Sequence, residues 1–363
     1  MMEKLKVAIL GGTGMVGQRF IALLEDHPWF EVTAIAASPR SAGKTYEEAV
    51  GDRWKMDTPM PENVKNMKVM DVSDVSHVAE GVDFCFSAVD MTKDEIRRIE
   101  EEYAKTETPV VSNNSAHRWT EDVPMLIPEI NPEHTDIIEY QKKRLGTKNG
   151  FIAVKPNCSI QAYAPAVYIW RKWKPSKLVV STYQAISGAG KTFKDWPEMV
   201  GNVIPYIGGE EEKSEKEPLK IYGHIDRESG KIIPAKGPKI TSQCIRIPVL
   251  NGHTASVFID FEEKPSKEEL IDALVSYSGE PQKLELPSAP KQFIQYFTED
   301  DRPQVTLDVD YERGFGISIG RLREDTVFDY KFVGLAHNTV RGAAGGAVLG
   351  AELLKAKGFI KAK

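Results

Sequence analysis

The chain has 363 residues, of which 41% are hydrophobic and 28% charged, as in ordinary globular proteins with one large or two smaller domains. A formal net charge of −6 argues against a general nucleic-acid-binding protein, but local arginines can still bind small anions. No apolar run reaches the ~18–20 residues of a membrane span, so neither nucleic acid nor a membrane is an expected partner.

The apolar run at 5–10 is too brief for a signal peptide. Three cysteines, Cys85, Cys158 and Cys244, are too few and too scattered for a disulfide framework or a zinc motif. These features predict a cytoplasmic protein without a bound metal.

In the first third of the chain, strand-like and helical patterns alternate. Apolar runs predict strands, and residues spaced about 3.6 apart predict helices. The predicted strands are 7–10, 32–37, 84–89 and 110–111, and the predicted helices are 15–24 and 93–105. This alternation indicates a doubly wound α/β domain.

After about residue 156, alternating apolar and polar residues predict a largely antiparallel sheet. Its predicted strands are 178–185, 243–249, 256–261, 305–309, 317–322 and 326–335, with a helix at 267–277 and a small-residue helix at 340–355. The charged segment 208–220 is, by composition alone, typical of a solvated loop or helix face.

A glycine-rich turn, Gly11 to Gly17, lies between the first predicted strand and the first predicted helix. Small residues there let backbone N–H groups approach a pyrophosphate, whose charge the helix N-terminus favours. Its GxxGxxG spacing is a variant of the dinucleotide-binding fingerprint, and it predicts nucleotide binding.

The end of the second predicted strand indicates which nucleotide binds. A site for NAD would place a carboxylate there, whereas this chain has "AASPRSAGK" at 36–44. Its hydroxyls at Ser38 and Ser41 and its cations at Arg40 and Lys44 suit a 2′-phosphate. The segment therefore predicts NADP.

Cys158 lies between an apolar strand and an apolar helix, so we expect it at or just before a helix N-terminus. That position lowers a thiol pKa and makes a better nucleophile. Cys85 and Cys244 lie within strand-like runs and are expected to be buried structural residues.

Arg246 and His253 flank a Pro–Asn–Gly segment that predicts a turn between two strands. A histidine at the mouth of such a hairpin is expected to be partly exposed and to titrate near neutral pH, as an acid/base partner for a thiol requires. An ordinary loop histidine remains the alternative.

Several motifs together, in this order and separation, resemble the aspartate-semialdehyde dehydrogenase family, and particularly its archaeal and fungal branch. They are "GGTGMVG" at 11–17, "SNNSAHRW" at 112–119, "PNCS" at 156–159, "SGAGK" at 187–191, "GGEEEK" at 208–213, "RIPVLNGH" at 246–253 and "HNTVRGAAGG" at 337–346. The resemblance covers essentially the whole chain.

This resemblance implies an α/β protein of glyceraldehyde-3-phosphate dehydrogenase-like architecture. A Rossmann-type NADP-binding domain would comprise 1–156 and 337–363, and an α+β catalytic and dimerisation domain 157–336. Family members are dimers or tetramers of dimers, so a homodimer or homotetramer is expected.

The resemblance also implies roles for individual residues. Cys158 would be the nucleophile that carries the acyl group as a thioester. His253 would activate the thiol and protonate the developing alkoxide. Asn157 and Gln184 would position the substrate, and Arg246 would bind its α-carboxylate.

The remaining implied contacts concern phosphate, ammonium and cofactor. Arg118 and Lys213 would hold the acyl phosphate, and Glu210 the substrate ammonium, although Glu211 could replace Glu210. The expected cofactor contacts are Gly11, Thr13, Gly14, Met15, Val16, Ser38, Arg40, Ser41, Lys44, Ser87, Ser187, Gly188 and Asn338.

The implied reaction is the NADPH-dependent reductive dephosphorylation of L-aspartyl-4-phosphate, with release of inorganic phosphate. It belongs to the biosynthesis of lysine through diaminopimelate, and of methionine, threonine and isoleucine. Three alternatives remain open at this point: a related malonyl-CoA reductase, an acyl-phosphate reductase of arginine biosynthesis, and a non-catalytic NADP-binding protein.

Overall fold

The computed structural model describes residues 3–363, which form fourteen strands and twelve α-helices. The strands are β1 (Leu5–Leu10), β2 (Phe30–Ala37), β3 (Met70–Asp71), β4 (Phe84–Ser87), β5 (Val110–Ser112), β6 (Ile152–Val154), β7 (Pro175–Gln184), β8 (His224–Asp226), β9 (Lys231–Ile233), β10 (Lys239–Arg246), β11 (His253–Phe261), β12 (Ile294–Tyr296), β13 (Ile317–Glu324) and β14 (Tyr330–Ala336). The helices are α1 (Met15–Leu24), α2 (Tyr46–Val50), α3 (Glu62–Lys65), α4 (Val75–Ala79), α5 (Lys93–Lys105), α6 (Ile138–Leu145), α7 (Ala164–Ile169), α8 (Glu210–Ile221), α9 (Lys267–Val275), α10 (Glu280–Lys283), α11 (Val305–Asp308) and α12 (Gly345–Ala356).

The first sheet has the strand order β3-β2-β1-β4-β5-β6, and every neighbouring pair is parallel. The chain runs outward from β1 to β3 and then returns to continue on the other side with β4. The carboxyl end of β1 is therefore a topological switch point, where doubly wound sheets bind ligands. The glycine-rich turn follows β1 at this point and confirms the predicted α/β domain.

The second sheet has the order β10-β7-β11-β14-β13-β12. Three of its pairs are antiparallel, whereas β10 pairs with β7 and β12 with β13 in parallel. Every second residue of β11 is buried, because the sheet has one face on the core. This mixed sheet confirms the second, α+β part of the predicted fold.

The chain returns to the first sheet at its C-terminal end. Ala347, Val348 and Ala351 of α12 share one hydrophobic core with Val7 and Ile9 of β1. Small side chains along α12 allow this close approach. Before α12, the segment Val340–Ala344 is a π-helix, so the predicted helix at 340–355 is two elements with a break in geometry.

Two sequence predictions about the second sheet are wrong. Residues 243–249 and 256–261 do not form a hairpin, because β10 and β11 lie on opposite sides of β7. Residues 305–309, predicted as a strand, are helical as α11. There, the buried carboxylate of Asp308 accepts hydrogen bonds from the backbone N–H of Gln304 and from the guanidinium of Arg302. These two bonds close a turn.

Across residues 3–363 we find no helix with the length and apolar character needed to cross a lipid bilayer.

Candidate active site

The glycine-rich turn is shaped by contacts that exclude side chains. A Cβ atom on Gly11 would lie 2.3 Å from the Ala88 carbonyl oxygen, and one on Gly17 would lie 2.3 Å from the Gly11 oxygen. The ten-residue helix α1 begins directly after Gly14 and has no side-chain cap on its first turn. Its free N–H groups therefore remain available to an anion.

Beside this turn lies a cavity of about 470 Å³, which suits the adenosine and phosphate part of a dinucleotide. Most of the predicted cofactor residues line it, namely Gly11, Thr13, Gly14, Ser38, Arg40, Ser41 and Lys44. Ser38, Arg40 and Lys44 are exposed at its rim. The glycine cradle and these hydroxyls and cations fit a dinucleotide with a 2′-phosphate.

A second cavity of about 130 Å³ continues from α1 to Cys158. The remaining predicted cofactor residues, apart from one, line it: Met15, Val16, Ser187, Gly188 and Asn338. Ser87 lines neither cavity; its buried hydroxyl accepts a hydrogen bond from the Asn114 side-chain amide. Its predicted cofactor contact stays a prediction.

Cys158 is half-buried on the floor of this second cavity. It precedes one turn of 3₁₀ helix, Ser159–Ala162, rather than a long α-helix. Burial, followed by the charge of Glu210, raises the pKa of the Cys158 thiol, while Lys155 and Arg118 act in the opposite direction. The direction is opposite to the expected helix-lowered pKa, because burial and the charge of Glu210 outweigh the neighbouring cations.

His253 faces Cys158, with 3.3 Å between its Nε2 atom and the Cys158 Sγ atom. It is the first residue of β11 and fully buried, rather than partly exposed in a turn. Burial, reinforced by the charge of Arg246, lowers the pKa of His253 to about 3. The expected partial exposure of His253 and its titration near neutral pH are therefore wrong.

A second contact of His253 determines where its proton lies. The backbone N–H of Ala185 donates to the Nδ1 atom at 3.0 Å, so the neutral ring carries its proton on Nε2. That proton points to the sulfur of Cys158. His253 can therefore donate a hydrogen bond, which supports the acid part of the predicted acid/base role. It cannot accept the thiol proton in this tautomer, because Nε2 has no free lone pair.

The six predicted substrate residues come together around Cys158. They line a cavity of about 310 Å³ and are Arg118, Asn157, Gln184, Glu210, Lys213 and Arg246. They come from separate parts of the chain, from the loop after β5 to the end of β10. Only in the folded chain do these six side chains lie around the Cys158 thiol.

Glu210 is the centre of this group. Its carboxylate accepts hydrogen bonds from the side-chain amides of Asn157 and Gln184 at 3.0–3.1 Å and is paired with Lys213 at 2.7 Å. Burial raises the pKa of Glu210, but these partners together lower it below its ordinary value. Glu211 instead contacts β10 through the Cys244 amide, so the structure favours Glu210 as the side chain facing the cavity.

The two arginines that line this cavity already donate hydrogen bonds to other groups of the protein. Nη1 of Arg246 donates to the Ala185 carbonyl at 2.6 Å. Arg118 donates through Nε to the Lys155 carbonyl and through Nη1 to the carboxylate of Glu217 at 2.9 Å. Each guanidinium keeps further N–H donors, which is enough for one anionic group of a substrate.

Glu217 is a residue that sequence reasoning missed. It is fully buried, and its second oxygen accepts from the backbone N–H of Asn157 at 2.6 Å. Glu217 lies seven residues after Glu210, and Ser214 between them hydrogen-bonds Ser159. This spacing places all three on one face of α8, and it was the signal that could have identified Glu217.

Other unpredicted residues surround Cys158. Lys155 is buried beside it, where burial lowers the lysine pKa to about 7, and it donates to the Pro156 carbonyl. Asn113 lines both cavities next to Cys158, and its side-chain oxygen has no hydrogen-bond partner among the described residues. A Cβ atom on Gly342 would lie 2.8 Å from the Cys158 Cβ, so the π-helical segment packs directly on Cys158.

The fold and its cavities define a two-domain, nucleotide-binding dehydrogenase. The family model "Semialdehyde dehydrogenase, NAD binding domain" matches residues 6–138, and "Semialdehyde dehydrogenase, dimerisation domain" matches residues 169–341. The aspartate-semialdehyde dehydrogenases of Aspergillus fumigatus and Methanothermobacter thermautotrophicus are 42% and 43% identical to this chain. The alignments cover 98% and 96% of this chain, and 99% and 98% of those relatives. The chain belongs to the aspartate-semialdehyde dehydrogenase family.

A solved structure agrees with this assignment. The crystal structure of aspartate semialdehyde dehydrogenase with NADP from Candida albicans is 38% identical, with a TM-score of 0.88. The match covers 99% of this chain and all of that one. The predicted family, including its archaeal and fungal character, is confirmed.

Proposed function

We propose that this protein catalyses the NADPH-dependent reductive dephosphorylation of L-aspartyl-4-phosphate to L-aspartate 4-semialdehyde. The observation that carries the proposal is the placement of Cys158 Sγ, 3.3 Å from His253 Nε2, in a cavity that also contains Glu210 and Arg246. A nucleophile, a hydrogen-bond donor, an anion and a cation thus surround one small space. These are the groups that an activated amino acid requires.

The charged ends of the substrate have complementary partners. The carboxylate of Glu210 suits the ammonium group, and the planar guanidinium of Arg246 suits the α-carboxylate. Lys213 and Arg118 remain for the phosphate group. Asn157 and Gln184 hold the Glu210 carboxylate in place through their amides.

Cys158 would first lose its proton to solvent and then react as a thiolate. Its sulfur attacks the acyl carbon, the carbon–oxygen bond to phosphate breaks, and the bonding pair leaves with phosphate, which takes up a proton from solvent. Cys158 then carries a thioester. The Nε2–H of His253 stabilises first the thiolate and then the oxyanion by hydrogen bonding, as a neutral imidazole can.

The bound cofactor, NADPH, supplies the hydride that reduces the thioester. This chain would hold it through the glycine-rich turn and, at the 2′-phosphate, through Ser38, Arg40, Ser41 and Lys44, which line the same cavity. Ser187, Gly188 and Asn338 border the cavity beside Cys158. After reduction, the oxyanion re-forms a carbonyl group and the carbon–sulfur bond breaks, which returns Cys158 as thiolate and releases the aldehyde.

The substrate cavity favours aspartyl phosphate over malonyl-CoA. Malonyl-CoA has no ammonium group to face Glu210, a carboxylate that is held by Asn157, Gln184 and Lys213. A non-catalytic nucleotide-binding protein would have no use for a thiol paired with a histidine. Both alternatives are outcomes of the assay below.

The test is a paired assay of the purified protein with aspartyl phosphate and with malonyl-CoA, each with NADPH. We expect turnover with aspartyl phosphate, and its loss by at least about a thousandfold in Cys158→Ser. Cys85→Ser, which alters a buried thiol in β4 of the first sheet, is the control and should retain activity. Turnover with malonyl-CoA alone, or undiminished turnover by Cys158→Ser, would contradict the proposal.

We also propose the domain division given by the sequence, with 1–156 and 337–363 in the cofactor domain and 157–336 in the catalytic domain. Residues 1 and 2 lie outside the described residues. The division is supported by the two separate sheets and by the packing of α12 on β1. We propose that the catalytic domain mediates self-association into a homodimer or homotetramer, as the name of its family model suggests.

A further inference from the structure

A lysine outside all of the predicted site residues connects the two walls of the cavity beside Cys158. One wall is the first turn of α1, with Met15 and Val16, and the other is the segment 187–190. The Nζ atom of Lys55 reaches across from the loop after α2 and donates to the Gly190 carbonyl at 3.0 Å. It also pairs with the carboxylate of Asp195 at 2.9 Å.

The backbone of Lys55 is itself anchored to the glycine-rich turn. Its N–H donates to Oε1 of Gln18 at 2.8 Å, and Nε2 of Gln18 donates to the Thr13 carbonyl at 3.0 Å. Gln18 is buried, and its amide also bonds the Arg53 carbonyl. A continuous chain of hydrogen bonds therefore runs from Thr13 through Gln18 and Lys55 to Gly190.

The other end of this chain of hydrogen bonds is the loop that contains Asp195. The Asp195 carboxylate that binds Lys55 also accepts from the backbone N–H and the hydroxyl of Thr192, both at 2.9 Å. These contacts hold the pKa of Asp195 well below its usual range, with the Lys55 hydrogen bond as the largest cause. The loop is thus folded on itself and then attached to the cofactor domain by one ammonium group.

The turn held by Lys55 has two further attachments: the Ser187 hydroxyl bonds Asn338, and the backbone N–H groups of Ile186 and Ser187 donate to the carbonyls of Val249 and Leu250. The Gly190 amide bonds Ser187 within its own turn, and Ser187 accepts from Asn338 at 2.8 Å. Gly190 has a left-handed φ of 71° and open space where a side chain would be. At the Gly190 end of the turn, the hydrogen bond from Lys55 to the Gly190 carbonyl is the side-chain contact that reaches the loop after α2.

We propose that Lys55 is a positioning residue for cofactor binding and hydride transfer: its ammonium group holds the turn 187–190 at a fixed distance from the glycine-rich turn. The inference rests on the proposed function, because it concerns the cofactor of that reaction. Lys55 acts through Gly190 and Asp195. Its removal widens the space in which the reduced nicotinamide must lie against the thioester on Cys158.

The test compares Lys55→Met, which keeps the length of the side chain but removes its donors, with Lys65→Met. Lys65 is a matched control, since it is similarly half-buried, pairs with Glu62 and lies in the same domain away from both cavities. NADPH binding is measured by fluorescence titration. We expect the dissociation constant to rise about tenfold in Lys55→Met, to stay unchanged in Lys65→Met, and to be largely restored in Lys55→Arg.

A kinetic measurement separates positioning from a general loss of structure. Without NADPH, aspartyl phosphate should acylate Cys158 and release one phosphate per active site in wild type and in Lys55→Met alike. In single turnovers with saturating NADPH, thioester reduction by Lys55→Met should be slower and should show a larger isotope effect with deuterated cofactor.

Three results would overturn the inference. Unchanged NADPH affinity and reduction rate in Lys55→Met would contradict it directly, and the proposed function would stand. Loss of the phosphate burst together with a lower Tm would show that Lys55 only stabilises the fold. Failure of the wild-type protein to bind NADPH would overturn the proposed function and the inference with it.

Discussion

Arg118 and Glu217 form a buried ion pair, with 2.9 Å between Nη1 of the arginine and the carboxylate of the glutamate. The other carboxylate oxygen of Glu217 accepts a hydrogen bond from the backbone N–H of Asn157, the residue directly before Cys158. One side chain on α8 thus positions both the arginine proposed to bind phosphate and the backbone that presents Cys158.

This relationship predicts the effect of Glu217→Gln. Neutralising the glutamate leaves a buried guanidinium without its counter-charge, which typically costs about 3–5 kcal/mol. We expect Tm to fall by several degrees and the KM for aspartyl phosphate to rise, as measured by thermal denaturation and steady-state kinetics. Glu212→Gln, on the exposed face of the same helix, is the control and should change neither quantity.

A second prediction concerns the reactivity of Cys158. After burial, the charge of Glu210 is the largest cause that raises the thiol pKa. Glu210→Gln should therefore lower that pKa, so that iodoacetamide labels Cys158 faster at pH 7–8 and the rate profile moves to lower pH. Glu211→Gln serves as the control, because Glu211 faces β10. A larger shift in Glu211→Gln would mean that the other glutamate faces the cavity.

The choice of cofactor can be tested at Arg40. Its guanidinium lies at the rim of the cofactor cavity, with Ser38, Ser41 and Lys44. Because only NADPH carries a 2′-phosphate, Arg40→Ala should raise the KM for NADPH about tenfold and leave the KM for NADH unchanged. NADH is thus an internal control within the same variant. Equal changes for both cofactors would place Arg40 on a shared part of the dinucleotide.

Protein stability should depend on pH through four buried histidines, His117, His134, His253 and His337, whose pKa values burial lowers. Burial lowers the pKa of His253 to about 3 and that of His337 to about 4, whereas an unfolded imidazole titrates near 6.5. Below about pH 6.5 the unfolded chain binds protons that the folded chain does not. Their contribution to stability is thus complete above that pH and decreases as the pH falls toward 4, by up to about 1.4 kcal/mol per unit for each histidine.

Replacing one of these histidines should weaken that dependence. We expect the Tm difference between pH 7 and pH 5 to be smaller in His253→Gln than in wild type. His77→Gln, which changes an exposed side chain, should retain the wild-type difference. A wild-type difference in His253→Gln would show that other groups cause the acid sensitivity.

Local patterns in the sequence were sufficient for the cofactor domain. The apolar run before Gly11 and the helical spacing after Gly14 predicted β1 and α1, and the predicted helix 93–105 is α5 with the same bounds. These elements depend on periodicity and on residues close in the chain, which a sequence displays directly. Ser38, Arg40, Ser41 and Lys44 also follow one strand end, so their shared cavity could be predicted.

The second sheet could not be predicted in the same way. The order in which β7 separates β10 from β11 depends on contacts between residues far apart in the chain. The alternating pattern at 305–309 predicted a strand. These residues form a helical turn instead, because Asp308 bonds Arg302 and the backbone N–H of Gln304. Tertiary contacts override such short-range preferences.

By itself, the sequence determined the family and predicted Cys158 as the nucleophile, His253 as its partner and the substrate-binding charges, because its motifs resemble those of that family in order and separation. The tertiary structure decided their physical state. Burial raises the pKa of Cys158 and lowers that of His253, and the Ala185 amide fixes the proton of His253 on Nε2. Burial and hydrogen-bond direction depend on what packs around a side chain, and that exists only once the chain has folded.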